Sequence, residues 1–335
     1  MEGGLILVVD RRAVRVRLEH RCVRVDLPDG RFERVPLAQL AAVVVHGSPE
    51  VRCDVWRALA AAGVAAALVP GRGGGATAWL GAGLAPYAHR RVAQHRAHAD
   101  AGARLAVARR VVALKLEAMA RAAPLLGVEV AGTLGEARAR LARADGVAAL
   151  MGVEGHAAAV WYAALGRRID PRWGFAGRNR RPPRDPVNAL LSLGYTLAGA
   201  AARRQVTAAG LDPALGMLHE TAPAREALAL DALEPLRPGV DVVVARLLAR
   251  LAPEDFAASP GEGCRLRKPA RAVFYAAWAE AAGRWPVAAV RPDGGEAASL
   301  EAEAARAVRA IWEGIRNAAA ALEARGRAAG ADARA

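Results

Sequence analysis

The chain has 335 residues, 54% hydrophobic and 24% charged, which excludes wholesale disorder and leaves room for about two domains at roughly 150 residues each. Its 47 Lys and Arg against 33 Asp and Glu give a formal charge of +14, a surplus that points to a polyanion partner, either nucleic acid or an anionic membrane surface. The most apolar stretch, 58–69, is short and broken by Gly63, so it cannot span a bilayer. No basic segment precedes the apolar run at the N-terminus, and Cys22, Cys53 and Cys264 are too scattered for a disulfide framework or a zinc site. These features predict a soluble, cytoplasmic protein. All basic residues but Lys115 and Lys268 are Arg; with the heavy use of Ala this reads as codon choice in a GC-rich genome, so Arg over Lys is no sign of bidentate recognition.

Residues 4–83 read as mostly β. Val14, Val16 and Leu18 alternate with Arg15 and Arg17, and Val23, Val25 and Leu27 repeat the period of two. Asp29-Gly30 is a hairpin signal. A buried strand is expected at 43–45, a helix from Pro49 to Gly63 and another strand at 64–69. Gly71-Arg72-Gly73-Gly74-Gly75 follows that strand, but no Gly-Lys-Ser/Thr occurs and 77–81 does not read as helix, so a hairpin loop is favoured over a phosphate cradle.

The spacing changes near residue 84. The segment AHRRVAQHRAHAD carries His89, His95 and His98 among Arg90, Arg91 and Arg96, with only Asp100 as acidic company. It reads as a basic linker, 84–100, lying on DNA phosphate. From Ala101 to about residue 327 the apolar spacing is helical, and a frayed, disordered tail is expected at 328–335. Asp185 as N-cap with Pro186 at the first helical position opens a helix over 187–200. Arg178, Arg180, Arg181 and Arg184 crowd the loop before it, an arrangement suited to phosphate positioning, though a charge run is also an ordinary solvated face. Pro235 and Pro238-Gly239 are expected to close the segment 223–234. The chain therefore reads as α+β, a small β-rich N-terminal domain (1–83) followed by a larger all-helical domain (101–327).

Four polar residues of the helical part stand out. Glu154 lies in a helix, 148–165, so apolar that a carboxylate there needs a reason. Asp231 and Glu234 are three apart and share a helix face, and His219 precedes Asp231 by twelve residues, enough for a turn that folds one helix back on another. Singly, each reads as a capping or surface group. Together they form a mixed oxygen and nitrogen set suited to Mn²⁺ or Mg²⁺ more than to zinc.

At these residues the sequence resembles the CRISPR-associated spacer-acquisition endonuclease and integrase family, the catalytic subunit of the CRISPR adaptation complex. The matching segments, in order, are MGVEGHAAAVWYAAL at 151–165, RPPRDPVNALLSLGYTLA at 181–198, GLDPALGMLHE at 210–220 and LALDALEPLRPGVD at 228–241. The resemblance implies that Glu154, His219 and Glu234 bind a divalent metal, Mg²⁺ or Mn²⁺, and that Asp231 also serves catalysis. It matches Arg91 and Gln94 to an R-x-x-Q-like segment of the family, and the basic stretches predict DNA contacts at Arg90, Arg91, Gln94, Arg96, Arg178, Arg180, Arg181 and Arg184. It further implies a homodimer formed through the N-terminal domain, a small second CRISPR-associated adaptation protein as partner, and double-stranded DNA as substrate. The implied reaction is insertion of short foreign DNA segments into a repeat array by 3′-hydroxyl attack on phosphodiesters. A related solo integrase acting as a mobile-element transposase would use the same chemistry; a non-catalytic basic DNA-binding scaffold would not need the four polar residues to converge.

Overall fold

A computed structural model describes residues 5–9, 13–62, 64–69, 78–80, 87–179, 182–259, 263–289 and 298–332. The chain divides into two units, Met1–Pro86 and Tyr87–Ala335.

The first unit contains β1 (Leu5–Val9), β2 (Arg15–Glu19), β3 (Cys22–Asp26), β4 (Phe32–Pro36), β5 (Leu40–His46), β6 (Glu50–Val51), α1 (Cys53–Ala61), β7 (Ala65–Val69) and β8 (Ala78–Leu80). Alternation decides which face each strand buries: Val16 and Val25 are cross-strand partners in the antiparallel β2–β3 pair, and both are buried while Arg15 and Arg17 are exposed. The turn between them uses His20 and Arg21 at φ 46° and 62°, left-handed values that a two-residue hairpin needs and that no Asn-Gly announces in the sequence. Asp29-Gly30 makes the next hairpin, with Gly30 at φ +83° and its N–H donating to the Leu27 carbonyl. The two sheets run β4-β3-β2-β6 and β1-β5-β7-β8, the latter with parallel β1–β5 and β5–β7 pairs. Val9, Val43, Val45, Val55 and Leu59 belong to this unit's own core, α1 supplying the last two at i, i+4. The Gly-rich stretch 71–75 lies outside the described residues.

The second unit contains α2 (Ala88–Ala99), α3 (Ala101–Leu126), α4 (Ala131–Arg143), α5 (Val147–Arg168), α6 (Pro186–Ala208), α7 (Ala227–Leu233), α8 (Arg237–Leu247), β9 (Phe256–Ser259), β10 (Gly263–Leu266), α9 (Lys268–Gly283) and α10 (Leu300–Asp332). The architecture is a small strand-rich N-terminal part and a large helical one, as the spacing predicts.

Four expectations change. The stretch 84–100 is not a linker: it holds α2, whose Gln94 and Ala97 are fully buried within the helical unit. Its apolar residues are mostly small, Ala93 and Ala97 being the ones that reach the hydrophobic core, and its remaining partners are polar groups that periodicity does not register. The helical unit is not all-helical, because β9 and β10 form an antiparallel hairpin; the Cys264 N–H donates to the Pro183 carbonyl at 2.7 Å and so braces the entry to α6. The tail expected at 328–335 is helical as far as Asp332. Finally, Pro235 and Pro238 follow the end of α7 at Leu233, as expected, but do not stop the chain's helical course. They sit in the first turns of a 3-10 turn (Glu234–Leu236) and of α8, where a missing N–H leaves no bond unmade.

The core of this unit is built around α3, capped by Asp100, whose carboxylate accepts the Ala103 N–H at 2.8 Å. Val107, Val111, Leu114, Leu116 and Met119 on it are buried. α6 is capped as predicted, the Asp185 carboxylate accepting the Asn188 N–H at 2.8 Å. Gly194 lets α6 approach α8 closely, since a Cβ there would lie 2.5 Å from the Val240 side chain.

Candidate active site

α3, α5, the loop 209–226, α7 and the 3-10 turn bring Lys115, Glu154, His219, Asp231 and Glu234 together. Asp231 on α7 is completely buried. One of its oxygens accepts the N–H groups of Met217 (2.6 Å) and Leu218 (3.0 Å), and the other accepts the His219 N–H (3.0 Å) and Nδ1–H (2.7 Å). Four donors thus fill the carboxylate, and an acceptor-only partner at Nδ1 fixes the tautomer of His219. The Nε2 lone pair is left free on the side facing Glu234, whose Oε1 lies 3.8 Å away. The turn that carries His219 also needs Gly216, where a Cβ would stand 2.7 Å from both the Ala227 Cβ and the His219 carbonyl oxygen.

Glu234 is buried and occupied at both oxygens: Oε1 accepts from Arg237 Nε at 2.8 Å, and Oε2 accepts from Lys115 Nζ at 2.6 Å. The ammonium of Lys115 also donates to Glu154 Oε1. Burial pushes the Glu234 carboxyl up, but the neighbouring Arg237 guanidinium and Lys115 ammonium outweigh it and hold it well below the usual carboxylate range. For Lys115 burial pulls downward, and Glu234 and Glu154 together more than restore the charge. Among the described residues no group of three or more His, Cys, Asp or Glu stands close enough to hold a metal ion as placed; an ammonium lies between the two glutamates instead.

Lys115 also lines a water-sized recess of about 10 Å³, together with Tyr162, Arg237 and Asp241 among others. Asp241 on α8 is buried, and among the described residues it accepts from Trp161 Nε1 at 2.8 Å and from the Tyr195 hydroxyl rather than from a cation. Burial lifts its carboxyl to about 6, against the pull of those two donors. The Tyr162 and Tyr195 hydroxyls are 2.6 Å apart, and burial pushes Tyr162 up to about 12.

Sequence reasoning missed Lys115, Arg237, Tyr195 and Asp241. Lys115 did carry a signal: in a chain that otherwise uses Arg, it is one of two lysines.

The residues expected to touch DNA divide. Arg90, Gln94 and His98 recur every four residues along one face of α2, and each reaches the protein's own backbone. Arg90 donates to the Ala209 carbonyl (2.8 Å), His98 Nδ1 to that of Gly216 (2.7 Å), and Gln94 to those of Asp212 (2.9 Å) and Leu215 (2.8 Å) while accepting the Asp212 N–H (2.8 Å). Arg104 adds the Met217 carbonyl at 3.0 Å. Together they clamp the loop that carries His219. Gln94, with 0% exposure, has no surface to offer a phosphate, which removes it from the DNA-contact set. Arg91 is half-buried; Arg96 is exposed and pairs with Glu323 at 2.7 Å. Arg178 turns inward to Asn188 Oδ1 (2.7 Å) and over the Tyr195 ring. Arg184 is exposed at the mouth of α6, and Arg180 and Arg181 lie outside the described residues.

The profile of the family described as CRISPR associated protein Cas1 matches residues 7–280. A relative from Thermus thermophilus, CRISPR-associated endonuclease Cas1 3, is 41% identical over 191 residues, which cover 56% of this chain and 57% of that protein. The match thus spans little more than half of the relative's length. A Cas1 protein from Thermotoga maritima has a similar structure, with a TM-score of 0.75 at 19% identity over 93% of this chain and 97% of that one. A casposase bound to integration product follows at 0.74 and 18%, over 92% and 90%. These two structures bear on the fold alone. With the profile spanning most of the chain, including all four polar residues, the protein belongs to the CRISPR-associated Cas1 family.

Proposed function

We propose that this protein is a metal-dependent DNA endonuclease and integrase that joins short DNA segments to a CRISPR repeat array. The observation that carries the reading is that Glu154 and Glu234 meet at one ammonium while a tautomer-fixed His219 turns its Nε2 toward Glu234, 3.8 Å away. Membership of the family and the activity named for the Thermus thermophilus relative support it.

Glu154, Glu234 and His219 Nε2 are the groups that would hold Mg²⁺ or Mn²⁺. Their chemistry fits: two carboxylates and one imidazole suit a hard or borderline ion, the carboxylates already share one cation, and Asp231 backs the imidazole as a carboxylate backs a metal-bound histidine. When bound, the ion supplies Lewis-acid polarisation of a phosphoryl oxygen and lowers the pKa of the attacking hydroxyl. Asp231 keeps the histidine proton on Nδ1, and Arg237 holds Glu234 ionised in a buried place. The net charge of +14 attracts the DNA backbone without reading sequence, which suits acceptance of arbitrary segments. Duplex DNA, a second copy of the chain and the small second adaptation protein are the partners this reading assigns.

Cleavage or joining of a labelled duplex should need Mn²⁺ or Mg²⁺ and stop on chelation. Glu154→Gln and His219→Ala should each lower the rate by about 10²-fold or more while the circular-dichroism spectrum stays native. Near-wild-type activity in Glu154→Gln contradicts the assignment.

A further inference from the structure

The two glutamates of the site share a single cation, and that cation belongs to the chain. We propose that Lys115 is a built-in counter-ion: it occupies the divalent-ion position in the metal-free protein, and the incoming metal has to displace it. The inference rests on the metal-site reading above. Nζ donates to Glu234 Oε2 at 2.6 Å and to Glu154, with side-chain exposures of 8% for Lys115, 5% for Glu234 and 18% for Glu154. Two carboxylates brought this close in a buried place repel unless a cation lies between them. Lysine is the residue fitted to that task, because its ammonium is a compact point charge of the kind a metal ion replaces, whereas a planar guanidinium is not. Of the 47 basic residues only two are Lys, and one stands here. Arg237 reaches the other oxygen of Glu234 from the start of α8, so it can stay when a metal arrives. Lys115 cannot keep both its partners, since an ammonium and a divalent ion on the same two carboxylates repel each other.

Displacement weakens apparent metal affinity, and the test reads that directly on full-length protein freed of metal by chelation. Mn²⁺ is titrated calorimetrically into wild type, Lys115→Met and Glu154→Gln. Lys115→Met should bind Mn²⁺ about tenfold tighter or more, and Glu154→Gln should bind it far more weakly. Equal or weaker binding by Lys115→Met overturns the counter-ion role; if Glu154→Gln still loses the metal, the metal site itself survives. If neither wild type nor Lys115→Met binds Mn²⁺, both readings fall. Should Lys115→Met not fold, lysine acetylation of the wild type decides, read by mass spectrometry. Exposed Lys268 is the internal reference. Saturating Mn²⁺ should raise modification of Lys115 relative to Lys268 severalfold; an unchanged ratio overturns the proposal.

Discussion

At Asp231 four N–H donors meet two buried oxygens, three from the backbone of Met217, Leu218 and His219 and one from the imidazole. An amide cannot replace them: Asp231→Asn turns an NH₂ toward some of those donors. This variant should lose about 1–3 kcal/mol of stability and about 10–100-fold in Mn²⁺-dependent activity, read by thermal melts and by metal titration of the rate. Unchanged metal dependence would show that the histidine does not rely on it. Asp241 makes the opposite electrostatic statement. Its carboxyl is lifted from 3.8 to about 6 by burial, so the folded state holds the proton more tightly than the unfolded one. The stability this contributes is full below the unfolded value and is lost as pH rises through about 6, by roughly 3 kcal/mol at pH 7. The melting temperature of Asp241→Asn relative to wild type should therefore climb between pH 5 and pH 8. Glu234, held low by its cations, loses its contribution in acid, but it does so in both proteins and drops out of the difference. Parallel melting curves across that range would contradict the raised carboxyl.

α2 supports the site through the loop that carries His219. Its three rungs, Arg90, Gln94 and His98, tie down the loop 209–217 through carbonyl groups. Gln94→Leu strips partners from the Asp212 N–H and from two carbonyls, a loss of roughly 2–4 kcal/mol. Duplex affinity measured well below the melting temperature should stay put. A drop in affinity with no drop in stability would restore Gln94 to the DNA surface. The contrast with β2, β3 and α6 explains what was legible beforehand. Strand alternation and an Asp-Pro cap are local patterns, resolved within a few residues, and the structure keeps both. Glu154, His219, Asp231 and Glu234 stand out from their local settings, and the family motifs around them then tie the four together. Lys115 has partners 39 and 119 residues away, and Tyr195 finds Asp241 46 residues on; no spacing encodes such pairs. α2 looked like a linker because its burial is earned by hydrogen bonds to a distant loop, and β9–β10 was missed as four-residue strands inside a helical stretch.

For the molecule as a whole, a charge of +14 predicts duplex binding with little sequence preference. Apparent affinity should fall by about 10³-fold or more between 50 and 200 mM salt if six or more phosphates are engaged. Arg184→Glu, an exposed position at the mouth of α6, should weaken unrelated duplexes alike. Affinity indifferent to salt would remove the basic surface from the account. On the proposed reading strand transfer and hydrolysis would need the same metal, and positioning would separate them, because a donor hydroxyl held at the site would compete at an effective concentration of about 10⁵ M or more in good geometry. The most direct measurement offers the protein, Mn²⁺, the small second adaptation protein and a repeat-bearing target two donors that differ only at the 3′ end, one hydroxyl and one dideoxy. Joined product should form with the hydroxyl donor, vanish with the dideoxy donor and vanish again with Glu154→Gln. Equal nicking with both donors and no joined product from either would make this chain a hydrolytic nuclease and contradict the integrase reading.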